Sequence, residues 1–114
     1  MLKIAVLVSG GGTNLQALLD SEARGENPNG RITLVVASKP GVYALERAAN
    51  AGVEGVVVRR KDYDTSEAFD AALLEVLKTH GIDLVVLAGF LSVLGPSVIA
   101  AYPRRILNVH PALI

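Results

Sequence analysis

Ile4-Ala5-Val6-Leu7-Val8-Ser9-Gly10-Gly11-Gly12-Thr13-Asn14-Leu15-Gln16 runs from five apolar residues through a serine and three glycines into a segment with helical character. The apolar run is short and rich in β-branched residues, as a buried strand requires. The glycines punctuate it, and Thr13-Asn14-Leu15-Gln16 resembles a capping box, with the helix opening at Asn14. A strand, a glycine turn and a helix in that order form the first unit of a parallel α/β sheet. They also make a phosphate site, because consecutive glycines let backbone N–H groups face an anion and a helix N-terminus adds partial positive charge. No lysine follows the glycines, so this is not the phosphate loop of the NTPases. Leu15 stands where a dinucleotide fingerprint needs its third glycine. A phosphate monoester therefore suits the loop better than a dinucleotide. A strand-to-helix turn with no ligand is the plain alternative.

Outward from this unit the two periodicities alternate. Short runs at Ile32–Ala37, Gly55–Val58, Leu84–Leu87 and Ile106–His110 read as further strands. After Asp64, the segment Asp64-Thr65-Ser66-Glu67 looks like a capping box, and Phe69, Ala72, Leu73, Val76 and Leu77 form an apolar stripe at helical spacing. Gly81 ends that helix, Gly52 ends another over Tyr43–Ala51, and Pro96 fits the first turn of a fourth. The fold class is α/β: a doubly wound, Rossmann-like, mostly parallel sheet with helices on both faces. Residues 1–114 read as one domain, apparently truncated after the fifth strand, where Pro111-Ala112-Leu113-Ile114 follows with no covering helix.

Composition narrows the function classes. Eleven basic and eleven acidic residues cancel without forming a block, which argues against nucleic acid and membrane partners. There is no cysteine and there are two histidines, so no metal is expected. No apolar run approaches the roughly 18 residues of a membrane span. A small-molecule ligand and a cytoplasmic location follow as expectations.

Two more segments carry chemistry. In Ile106-Leu107-Asn108-Val109-His110, strand alternation puts Asn108 and His110 on one face at the carboxyl end of a parallel strand, where open α/β sheets bind ligands. An amide beside an imidazole can stabilise an oxyanion and move a proton, as acyl transfer to an amine requires. Both side chains could equally serve the sheet edge alone. His80 precedes Gly81 at a helix end and reads as structural. Leu87-Ala88-Gly89-Phe90-Leu91-Ser92-Val93-Leu94-Gly95-Pro96 is a mostly apolar loop, fit to line a pocket for a flat ring or to pack under another part of the protein.

The opening segment, Leu45-Glu46-Arg47-Ala48, Val85-Val86-Leu87-Ala88-Gly89-Phe90 and Leu107-Asn108-Val109-His110-Pro111 together resemble the phosphoribosylglycinamide formyltransferases. The resemblance spans the chain. It implies formyl transfer from 10-formyltetrahydrofolate to the amine of glycinamide ribonucleotide, in purine synthesis. It further implies that Gly12, Thr13 and Asn14 hold the phosphate, and that Asn108 and His110 are catalytic, with His110 the proton donor. Leu91, Ser92, Val93 and Leu94 would line the folate pocket, with Asn108 and Ser66 also touching folate. Relatives often carry arginine at the positions of Ser66 and Ser92, which leaves backbone contacts there. The family's catalytic aspartate falls beyond Ile114, so the isolated chain is expected to be inactive or very weak. Its expected partner is a C-terminal half or a second copy. A phosphate-binding module without catalysis, a formyl-folate hydrolase and a formyltransferase with another acceptor are the competing readings.

Overall fold

The computed structural model describes residues 1–26, 29–90 and 94–109. Five strands, β1 (Leu2–Val8), β2 (Gly30–Ala37), β3 (Glu54–Val57), β4 (Leu84–Ala88) and β5 (Ile106–Val109), form one sheet in the order β3-β2-β1-β4-β5, and every pairing is parallel. Four helices, α1 (Thr13–Ala23), α2 (Tyr43–Asn50), α3 (Ser66–Thr79) and α4 (Pro96–Ala101), connect them, with a short 3₁₀ turn over Arg60–Asp62 that sequence periodicity does not show.

Strand β1 is central, and alternate residues serve different layers. Ile4, Val6 and Val8 pack with Leu15 and Leu19 of α1 and with Ala44 and Ala48 of α2. Ala5 and Leu7 pack with Phe69, Leu73 and Leu77 of α3 and with Val98 of α4. Because both faces are covered, the strand is apolar without interruption from Ile4 to Val8. Of the expected α3 stripe, Phe69, Leu73 and Leu77 are buried and Ala72 and Val76 partly so, and truncating Leu73 or Leu77 to alanine would cost about 2–5 kcal/mol.

The helix starts differ from expectation. Helix α1 begins at Thr13 behind an N-cap at Gly12, whose backbone is left-handed (φ 82°), and it has no side-chain cap. The Gln16 side chain does not reach back as a capping box requires, because its amide nitrogen donates to Asp20 Oδ1 at 2.9 Å and its oxygen accepts from Arg47 at 3.1 Å. Helix α3 is capped by Thr65, whose hydroxyl accepts from the Ala68 amide at 3.0 Å, and not by Asp64. The ends at Gly52 and Gly81 are as expected: both glycines have positive φ. Pro96 occupies the first turn of α4.

The sheet order reverses between β1 and β4, so the crevice of a doubly wound fold opens at their carboxyl ends. Gly10–Gly12 leaves β1 at this edge. Asn108 pairs with Leu87, which in turn pairs with Leu7.

Candidate active site

The three glycines of the first loop do different things. At Gly12, a Cβ would come 2.8 Å from the Ala44 Cβ and the φ is positive, so packing and backbone alone require glycine there. At Gly10 and Gly11 a Cβ would meet nothing within 4 Å, and neither has a positive φ. A plain turn accounts for Gly12 and leaves the other two unexplained. Space beside exposed backbone at a helix start is what an anion needs in order to approach closely. Thr13 and Asn14 supply the first amides of α1, which have no intrahelical acceptor. No acidic side chain lies in that first turn to compete with a bound anion.

Arg47 of α2 holds this loop. Its Nε donates to the Gly11 carbonyl at 2.8 Å, its Nη1 donates to Gln16 Oε1 at 3.1 Å, and its guanidinium lies 4.7 Å from the centre of the Tyr43 ring. Tying down the Gly11 carbonyl fixes the orientation of the next peptide, and the guanidinium adds positive charge behind the loop. The sequence marks Arg47 only as part of a resemblance. What it touches depends on the packing of α2 against α1.

On the other side of the switch point, Asn108 is exposed and lies on the face of β5 that it shares with Ile106, toward α3 and α4. Its expected companion, His110, lies outside the described residues, as do Leu91, Ser92 and Val93. Leu94 and Phe90 are half-buried against the core formed with α3 and α4, so they are not the bare apolar surface that the loop's composition suggests. Ser66 is the exposed first residue of α3, and its hydroxyl meets Glu67 Oε1 at 3.3 Å.

Asp70 is a residue that sequence reasoning missed. Its carboxylate is buried (2% exposed) inside the apolar face of α3 and accepts from the Gly95 amide at 2.9 Å and the Ser97 amide at 2.8 Å. It therefore caps α4 and anchors the return of the loop after β4. A carboxylate next to Phe69 in a buried stripe was the available signal. His80 is structural, as expected: Nδ1 bonds the Val76 carbonyl at 2.8 Å and Nε2 bonds Glu54 at 3.1 Å. These two acceptors raise its pKa above the ordinary histidine value.

The model of the formyl transferase family matches residues 2–114. The chain belongs to the formyl transferase family. Its fold superposes on the glycinamide ribonucleotide transformylase 1 of Symbiobacterium toebii with a TM-score of 0.92 at 46% identity, covering 100% of this chain and 53% of that one. The phosphoribosylglycinamide formyltransferase of Escherichia coli (strain K12) is 36% identical over 113 residues, 99% of this chain and 53% of that protein. The trifunctional purine biosynthetic protein adenosine-3 of Drosophila melanogaster is 41% identical over 115 residues, 98% of this chain and 8% of that protein. This formyl transferase chain thus spans about half the length of its bacterial relatives. Among the described residues, no helix is long and apolar enough to cross a membrane.

Proposed function

We propose that the chain is the ribonucleotide-binding half of a phosphoribosylglycinamide formyltransferase, a cytoplasmic enzyme of purine synthesis. The open space over Gly10 and Gly11, at the uncapped start of α1, is the observation that carries this reading beyond family membership. Gly12, Thr13 and Asn14 hold the phosphate of glycinamide ribonucleotide through backbone amides, with Arg47 steadying the loop. Asn108 lies on β5, two strands from β1 across β4, so it and the loop flank one crevice.

In the reaction, the amine nitrogen of the ribonucleotide attacks the formyl carbon of 10-formyltetrahydrofolate. Asn108 and protonated His110 stabilise the resulting oxyanion. The carbon–nitrogen bond to folate then breaks, the folate nitrogen takes a proton, and the attacking amine gives one up. Ser66 and Leu91–Leu94 contact the folate, and no metal takes part. Residues 1–114 act as one domain that pairs with a C-terminal remainder. An apolar groove along Ile4, Val6, Leu84, Val86, Leu107 and Val109, on the face that α1 covers only in part, supports that pairing; Leu107 is 53% exposed.

The test is a formyl-transfer assay on the chain mixed with the C-terminal segment of a relative. Transfer is expected in the mixture and expected to fall by about 10³–10⁴ with His110→Ala. A mixture that binds the ribonucleotide but hydrolyses formyl-folate without transferring the group would replace this reading with the hydrolase one.

A further inference from the structure

A second cleft opens at the same sheet edge, beside the glycine loop and away from β4 and β5. Its volume is about 480 Å³, and it is lined by Ser9, Ser38, Lys39, Pro40, Arg59, Arg60 and Lys61. Four of these seven residues are cations, in a chain whose net charge is zero. The position follows from register. Val8 pairs with Ala37 and Ala37 with Val57, and the ladder runs on one step through Ser38 N to Val8 O (3.0 Å) and Val58 N to Ala37 O (2.9 Å). The chain therefore leaves β1, β2 and β3 at a flush edge. The segments that follow β2 and β3 bring Lys39 together with Arg59, Arg60 and Lys61 over it.

Two buried serines lie at the base of an otherwise mainly apolar lining, and the charges at its rim are mostly unspent. Ser38 Oγ donates to Ser9 Oγ at 2.7 Å, and both serines are buried. Arg59 meets the Asp62 carboxylate at 3.8 Å, and Arg60 donates one Nη1 hydrogen bond to the Tyr63 carbonyl at 3.0 Å. Each contact uses little of a guanidinium's five-donor fork. Among the described residues, Lys39 and Lys61 make no ion pair. Among the described residues, Asp62 is the one carboxylate in contact with any of these four cations. Such side chains suit a multiply charged oxyanion, since arginine forks match the geometry of carboxylate and phosphate and lysines add point charge.

We infer that this cleft is an anion site separate from the glycine loop, built to take a di- or trianionic phosphate or carboxylate group. A phosphoryl group and the carboxylates of an extended acidic tail share this chemistry, and the experiment separates them.

Amide chemical shifts of the protein would be followed by NMR at constant ionic strength, during titration with inorganic pyrophosphate and, separately, with tri-γ-glutamate. At least one anion is expected to shift Ser38, Lys39 and Arg59–Lys61. Preference for pyrophosphate assigns a phosphoryl ligand, and preference for the peptide assigns a carboxylate tail. Lys39→Ala and Lys61→Ala should each weaken that binding about two- to fivefold, and the double variant on the order of tenfold, without changing shifts at Gly10–Asn14. Both side chains are exposed, so the fold should survive. Shifts confined to Gly10–Asn14 with both anions, or binding at Lys39 and Arg59–Lys61 that the double variant leaves unchanged, would overturn the inference.

Discussion

The glycine loop and the end of β5 lie on either side of one switch point, yet they depend on the rest of the molecule differently. The groups the loop would offer an anion are backbone amides at the start of α1, held by one arginine from the next helix, and all of them lie within residues 9–47. The β5 end offers side chains. Asn108 is exposed there, and in the proposed reaction it would act together with His110. A site made of backbone and a helix terminus is complete when its local fold is complete. A site made of side chains on an edge strand is complete only when its neighbours are.

The largest expected effect breaks that asymmetry if it fails. The chain alone should bind glycinamide ribonucleotide but transfer formyl groups at least about 10³-fold more slowly than the mixture with a C-terminal segment. Equal rates with and without the added segment would show that the β5 end is as self-sufficient as the loop.

Next in size is Asp70→Ala, which removes the acceptor for the Gly95 and Ser97 amides from a buried position. A loss of about 2–4 kcal/mol in denaturant unfolding is expected. Asp70→Asn, which keeps one acceptor oxygen, should lose less. Binding at the glycine loop should be unchanged in the folded fraction of both variants, because Asp70 serves the other side of the switch point.

Arg47→Ala sharpens the comparison from the loop side. Without the Gly11 anchor and its charge, affinity for the ribonucleotide should fall about tenfold, while thermal stability changes little. Arg47→Lys should recover part of the charge effect without restoring the paired bonds to Gly11 and Gln16. A stability loss that accounts for all of the affinity change would make Arg47 a packing residue only.

The smallest effect lies away from both regions. His80 joins the end of α3 to Glu54 of β3, and its folded pKa is raised by the Val76 carbonyl and the Glu54 carboxylate. A raised pKa stabilises the fold below the unfolded value of about 6.5, and the contribution disappears as pH rises through the folded value. Glu54→Gln should therefore flatten a small decline in melting temperature between pH 6 and pH 8. Ribonucleotide affinity should not follow it.

Most of the fold was legible because its signals are local. Five short β-branched runs, glycines at Gly52 and Gly81, and Pro96 at a helix start each mark an element with no help from distant residues. The order β3-β2-β1-β4-β5, with its reversal between β1 and β4, is not written in any one segment. Helix starts were less legible. Gln16 reads as a capping partner until Arg47 and Asp20 take its amide, and these partners are visible only once α1 has formed and α2 has packed against it. The glycine turn before α1 is legible in its own segment, while Arg47 and Asp70 act across 36 and 25 residues of sequence. Such contacts come from packing and leave no periodic trace.

The claim that the loop is complete within this chain is tested most directly by titrating the protein with glycinamide ribonucleotide and, in parallel, with its dephosphorylated riboside, following heat by calorimetry. Amide hydrogen bonds to a charged phosphate are worth about 1.5–3 kcal/mol each, so the phosphorylated ligand should bind at least about a hundredfold more tightly. Equal affinities would mean that Gly10–Gly12 is only a turn between β1 and α1.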